Sequence, residues 1–101
     1  MATTSKTLFR GAATTTVGTT LYTVPASTTT VVTSIVITNT TTTAGTFTLG
    51  LNGTNLATTV AVGATDSTVI DLKQVLTATQ TITGGASATT INFHISGVEI
   101  S

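Results

Sequence analysis

The clearest hydrophobic pattern lies at residues 46–51, where Phe47, Leu49 and Leu51 alternate with Thr46, Thr48 and Gly50. A period of two is that of a strand with one buried face. Asn52-Gly53 follows, a pair suited to a type I′ hairpin turn because both central positions need φ > 0. The return strand is predicted over 55–62, with Leu56, Val60 and Val62 available for burial. Upstream, residues 31–39 read VVTSIVITN, with aliphatic residues on both parities. That is the pattern of a central strand covered on both faces. Residues 40–45 between these strands form a polar turn at the solvent or at an interface.

The flanking segments complete the set. Residues 1–6 are small and polar and predict a mobile arm; 7–13, with Leu8 and Phe9, predict a first strand. A threonine run flanked by Gly11 and Gly18 leads to a short strand over 21–24. It stops at Pro25, which has no N–H for a ladder, and 26–28 turn. After a turn at 63–67, residues 68–72 resume as a strand. Residues 75–79 read as a compact apolar turn, and 80–83 as a short strand ending at Gly84-Gly85. In the last strand, 89–100, Ile91, Phe93 and Ile95 share one parity while Val98 and Ile100 take the other. A β-bulge at Ser96-Gly97 would turn all five toward one core.

About eight strands at spacings of roughly 8–12 residues, with no helical period and no fixed repeat, predict an all-β chain. The expected architecture is a single antiparallel β-sandwich, jelly-roll or Ig-like, with a short N-terminal arm. Residues 1–18 hold the arm and a first strand or loop, and 19–101 the sandwich domain.

Composition narrows the function. Of 101 residues, 31 are Thr and 7 are Ser, and only six are charged, cancelling to zero. Threonine is β-branched and favoured in strands. Three scattered basic residues cannot displace the counterions of a nucleic acid or hold a membrane surface. No apolar run has the length of a signal peptide or a membrane span, which predicts synthesis in a cytoplasm without export by that route. Charge is a main defence of exposed strand edges, and so little of it predicts edges buried in an assembly.

Candidate chemistry is sparse. Without cysteine there is no disulfide or thiolate site. His94, the single histidine, has the parity opposite to Ile91, Phe93 and Ile95, and so faces solvent or a neighbour. No Gly-x-Ser-x-Gly motif accompanies it, and one histidine does not make a zinc site. Asp66 and Asp71 read as a turn cap and a surface carboxylate, not as a calcium site. Lys6, Arg10, Lys73 and Glu99 read as solvated or interface charges. Gly84-Gly85 lacks the lysine and helix of a phosphate loop. The Asn-x-Thr triplets at Asn39 and Asn52 occur at the frequency this composition produces by chance. Paired threonines at 28/30, 46/48, 77/79 and 81/83 place hydroxyls on common faces, but without the repeat of an ice-binding solenoid. The expectation is a non-enzyme with no catalytic, cofactor or metal site.

Four segments, in order and spacing, resemble a family of small virion structural proteins of tailed bacteriophages: 21–26 (LYTVPA), 31–39 (VVTSIVITN), 46–51 (TFTLGL) and 91–100 (INFHISGVEI). In that family a TVPAG-like turn precedes a strand ending in I-x-x-x-N, and a Gly-Val-Glu ending closes the domain. The resemblance spans residues 19–101, with Ser27 where the family often has glycine, and the first 18 residues lie outside it. It implies a β-sandwich on the phage particle, made in the host cytoplasm and located in the virion. The first implied role is a capsid decoration (cement) protein, bound to the major capsid protein or another virion protein as a homo-oligomer, a trimer at local three-fold positions. An alternative is a tail or fibre module binding host-surface carbohydrate, with Tyr22 the one candidate aromatic for stacking. A more remote alternative is a threonine-rich ice-binding or cellular structural protein.

Overall fold

The computed structural model describes residues 3–101. Its eight strands are β1 (Thr3–Ala12), β2 (Thr20–Thr23), β3 (Thr29–Asn39), β4 (Gly45–Leu51), β5 (Thr54–Val62), β6 (Ser67–Leu76), β7 (Thr81–Ala86) and β8 (Ile91–Ile100). None of the described residues is helical. The strands form two four-stranded antiparallel sheets, sheet A in the order β1-β8-β3-β6 and sheet B in the order β2-β7-β4-β5. Only β4 and β5 are joined as a hairpin; every other connection crosses between sheets.

The inward faces of both sheets meet in one core. Sheet A contributes Val32, Ile35, Ile37, Ile91, Phe93 and Ile95, and sheet B contributes Phe47, Leu49 and Ile82. Phe47 and Phe93 cross the gap edge to face, with ring centroids 6.4 Å apart, an arrangement favoured by the ring quadrupoles. The alternation of β4 holds, with Phe47 and Leu49 buried. Asn52 and Gly53 both take positive φ, 49° and 84°, as the hairpin requires. Ser27, in the turn after Pro25, also lies at positive φ, 58°, a conformation that glycine adopts at less cost than serine.

Several expectations change. The arm expected over 1–6 is already β1 from Thr3 onward, with Thr3 opposite Ile100 and Lys6 opposite Gly97; Met1 and Ala2 lie outside the described residues. Long-range pairing, invisible in a local pattern, recruits this polar segment as the edge of sheet A. For the same reason β6 runs on through Val75 and Leu76, which pair with Val31 and Thr30, where a turn was expected. Strand β7 also continues through Gly84 and Gly85 to Ala86. Those glycines serve close approach: a Cβ on Gly85 would lie 2.5 Å from the carbonyl oxygen of Thr16, in the β1–β2 connection that folds over sheet B.

The bulge expected in β8 occurs in its neighbours instead. Strand β1 shifts register between Thr7 and Phe9, opposite Ile95–Ser96, and β3 shifts between Val32 and Ser34, opposite Ser96–Gly97. Strand β8 keeps its alternation, with Gly97 continuing the inward row of Ile91, Phe93 and Ile95. Val98 and Ile100 therefore stand on the outer face, not in the core. The shift in β3 also accounts for its aliphatic residues on both parities: Val32, Ile35 and Ile37 are buried, while Val31 and Val36 turn outward and stay partly exposed. Among the described residues no segment covers that outer face, although the pattern of a doubly covered strand anticipated one.

Gly97 permits this arrangement. A Cβ there would collide with the backbone carbonyl of Val31 and lie 2.9 Å from Leu8 Cδ1. Overpacking of this kind costs about 1–3 kcal/mol. Gly97→Ala is expected to lose that much stability in urea denaturation. Gly18→Ala, with nothing within 4 Å, should stay within about 0.5 kcal/mol of the parent chain.

Candidate functional site

Two features gather side chains with chemistry to offer, one inside the end of the sandwich and one on its surface. The first is a polar cluster. After Gly97 the next inward residue of β8 is Glu99, which sits opposite Thr4 on β1 and Thr30 on β3. Lys6 approaches from β1 and pairs with Glu99 at 3.3 Å. From sheet B, Tyr22 donates its hydroxyl hydrogen to Glu99, and the same hydroxyl oxygen lies 2.9 Å from Thr30 Oγ1. Thr30 is fully buried, so this hydroxyl contact meets its need for a partner. Four residues on four strands thus staple one sheet to the other.

The two titrating groups shift in opposite directions. The Glu99 carboxyl is held below the usual carboxylate range, first by the hydrogen bond from Tyr22, against the opposing effect of burial, and then by the hydrogen bond and charge of Lys6. The Tyr22 hydroxyl is raised, first by burial and then by its bond to the Glu99 carboxylate; the contact with Thr30 opposes this.

The second feature is the outer face of sheet A. In cross-strand register it presents the row Val75–Val31–Val98, then Asp71–Ser34–Ser96, then Val69–Val36–His94–Arg10. Val69 and Val75 are 60% and 61% exposed. The outer face of sheet B differs, with Thr46, Thr48, Thr81 and Thr83 in place of aliphatics. Across its strands Thr48 faces Gly85 and Thr83 faces Gly50, so hydroxyls and gaps alternate and no continuous threonine lattice forms. Thr30 is turned inward, Thr28 is buried, and Thr77 and Thr79 lie in a connection.

The individual candidates separate. His94 lies on the outer face between Arg10 and Val36, as its parity predicts. Asp66 accepts a hydrogen bond from the backbone N–H of Ser67 at 2.7 Å in the β5–β6 turn. Asp71 stands on the outer face of β6, so the two aspartates do not converge. Among the described residues no group of three metal-ligating side chains assembles, and Lys6–Glu99 is the one ion pair. Asn39 is buried, and its amide is engaged at both ends by Thr41 and Thr43, which shapes the 40–44 turn; Asn52 is exposed in the β4–β5 hairpin turn. Tyr22 is partly buried with its hydroxyl directed inward, and presents no open stacking platform.

Lys6 and Glu99 were legible only as charges, because 93 residues separate them. The outer valines did leave a signal. The opposite parity of Val98 and Ile100 places them outside once no bulge in β8 is invoked.

No protein-family model matches the chain, and no curated protein matches it.

The staple carries a pH signature. A depressed carboxyl stabilises the fold above its unfolded pKa, about 4.3, and that contribution is lost as pH falls through the folded value. A raised tyrosine contributes below about pH 10 and loses its contribution as pH rises through its folded value. Tyr22→Phe is expected to cost about 1.5–3 kcal/mol at pH 7, the range of a hydrogen bond to a charged group. The gap from the parent chain should narrow at about pH 3, read by urea denaturation at both pH values. Lys6 is 47% exposed, and Lys6→Ala is expected to cost under about 1 kcal/mol.

Proposed function

We propose that the chain is a non-enzymatic virion structural protein of a tailed bacteriophage, with capsid decoration its specific role, and that its sandwich is a jelly roll. The topology supports the second part. The pairs β1–β8, β2–β7, β3–β6 and β4–β5 are those of one long hairpin bent at Asn52-Gly53, and β3–β8 and β4–β7 roll that hairpin into two sheets. An Ig-like sandwich does not pair its strands as such a nested set.

The observation that carries the decoration reading is the aliphatic outer face of sheet A, on a chain whose polar side chains converge on no reactive centre among the described residues. Such a face is the mark of a surface that works by contact with other protein. The resemblance of residues 19–101 to phage structural proteins supplies the context. In this reading the chain binds the assembled head as a homo-oligomer and stabilises it by mass action. The carbohydrate-binding alternative is weakened by Tyr22, whose hydroxyl is committed to Glu99 and Thr30.

Counting the copies of this chain in purified particles tests the assignment. A decoration protein occupies symmetry-related sites over the whole shell, so copies on the order of hundreds are expected. A handful of copies, or none, would overturn capsid decoration.

A further inference from the structure

We propose that the outer face of sheet A is a homotypic interface, covered by the same face of a second copy about a two-fold axis parallel to the strands, between β8 and β3. The proposal rests on the homo-oligomer part of the reading above: it gives the outer face of sheet A to a second copy, so that contact with a capsid falls to another surface of the dimer. It makes the basic unit a dimer, in place of the trimer implied by the family resemblance.

The first argument is the chemistry of the face. Two aliphatic rows lie in register across it, with Val98 beside Val31 and Val36 beside Val69. The strands bearing these rows sit at the centre and at the β6 edge of a sheet whose other side is the core. Water on this face is in contact with apolar surface that a matching face would remove from it. The charges at the edges of the face are of both signs, Arg10 on β1 and Asp71 with Lys73 on β6, so nothing in the arrangement calls for a partner of one sign.

The second argument is area. Four strands about 4.8 Å apart and about ten residues long make a face of about 19 by 33 Å, on the order of 600 Å² per copy. Two such faces bury about 1,200 Å², which reaches the lower bound of specific interfaces. Sheets also pack readily face to face when their strands lie within about 30° of each other, as this axis allows.

The third argument is charge, and it selects the axis. Arg10 stands on β1, at one edge of the face and level with His94, while Asp71 stands on β6 at the other edge and level with Ser34. These levels are adjacent, two residues or about 7 Å apart along the strands. Rotation about an axis parallel to the strands carries β1 of one copy over β6 of the other at the same height. Arg10 then lies within side-chain reach of Asp71 of the partner subunit, twice by symmetry, while Val98 packs on Val31 of the partner subunit. An in-plane axis perpendicular to the strands would instead lay β6 on β6 and β1 on β1, which keeps Arg10 away from Asp71 of the partner subunit. Within one copy Arg10 and Asp71 form no ion pair, since Lys6–Glu99 is the one pair among the described residues.

Sedimentation velocity on the whole chain, with charge reversals, tests this. An interface at the lower bound of the specific range belongs with the weaker complexes, and an affinity on the order of 10 μM would make the parent chain sediment mainly as a dimer at about 100 μM. Arg10→Asp and Asp71→Arg singly should each weaken the dimer at least about tenfold, and the double reversal should restore it. Val98→Lys should leave a monomer with unchanged circular dichroism, which separates loss of contact from loss of fold. A monomeric parent chain, a trimer, or a dimer indifferent to both reversals and to Val98→Lys would overturn the proposal.

Discussion

Every backbone N–H and C=O of a strand between two others must find partners on both sides, and β8 is under that demand along its whole length. It is met by β1 from Thr3 to Ala12 and by β3 from Thr29 to Asn39. Both neighbours shift register at the level of Ser96, β1 toward Ile95 and β3 toward Gly97. The absence of a side chain at Gly97 lets the Val31 carbonyl and the Leu8 side chain close in there. On one side of that level Lys6, Thr30 and Val32 turn inward; on the other Phe9, Ile35 and Ile37 do. The interior polar staple and the exterior valine rows are two results of the same pair of shifts.

Most of the architecture was legible because alternation is a local signal. The strand at 46–51, the turn at Asn52-Gly53, the stop at Pro25 and the outward placement of His94 each depend on residues close in sequence. What could not be read depends on pairing across the chain. Nothing local makes residues 3–6 a strand; β8 does. Nothing local extends β6 through Val75 and Leu76; β3 does. Gly84-Gly85 looked like a terminus, because a glycine needed for close approach and a glycine needed for a turn are the same letter. Gly97 at a change of parity looked like a bulge for a similar reason, although the extra residues reside in the adjacent strands. The Tyr22–Glu99 staple joins residues 77 apart, and no spacing rule reaches that far.

The placement of charge revises one physical inference. A chain with six charges looked unable to protect its edges, yet four of them, Lys6, Arg10, Asp71 and Lys73, lie on β1 and β6, the two edges of sheet A. The edges of sheet B carry none and are blunted otherwise. Strand β2 has four residues, and β5 is broken by register shifts opposite Phe47 and Leu49, with Thr59 at positive φ. Short edges and bulges both resist strand addition. The case for association therefore moves from the edges to the open face of sheet A.

The place of β8 in the middle of sheet A also governs when the fold can form. Strand β1 pairs only with β8, the last of the eight to leave the ribosome. At about 5–20 residues per second, the first strand waits several seconds or more for its partner. During that wait β3 has an open side, and sheet-forming segments without partners are prone to pair with other chains. Threonine answers this difficulty in a way that valine would not. It keeps the β-branched preference for extended backbone while its hydroxyl keeps the waiting strand hydrated. The 31 threonines are thus as much a property of the nascent chain as of the finished sandwich.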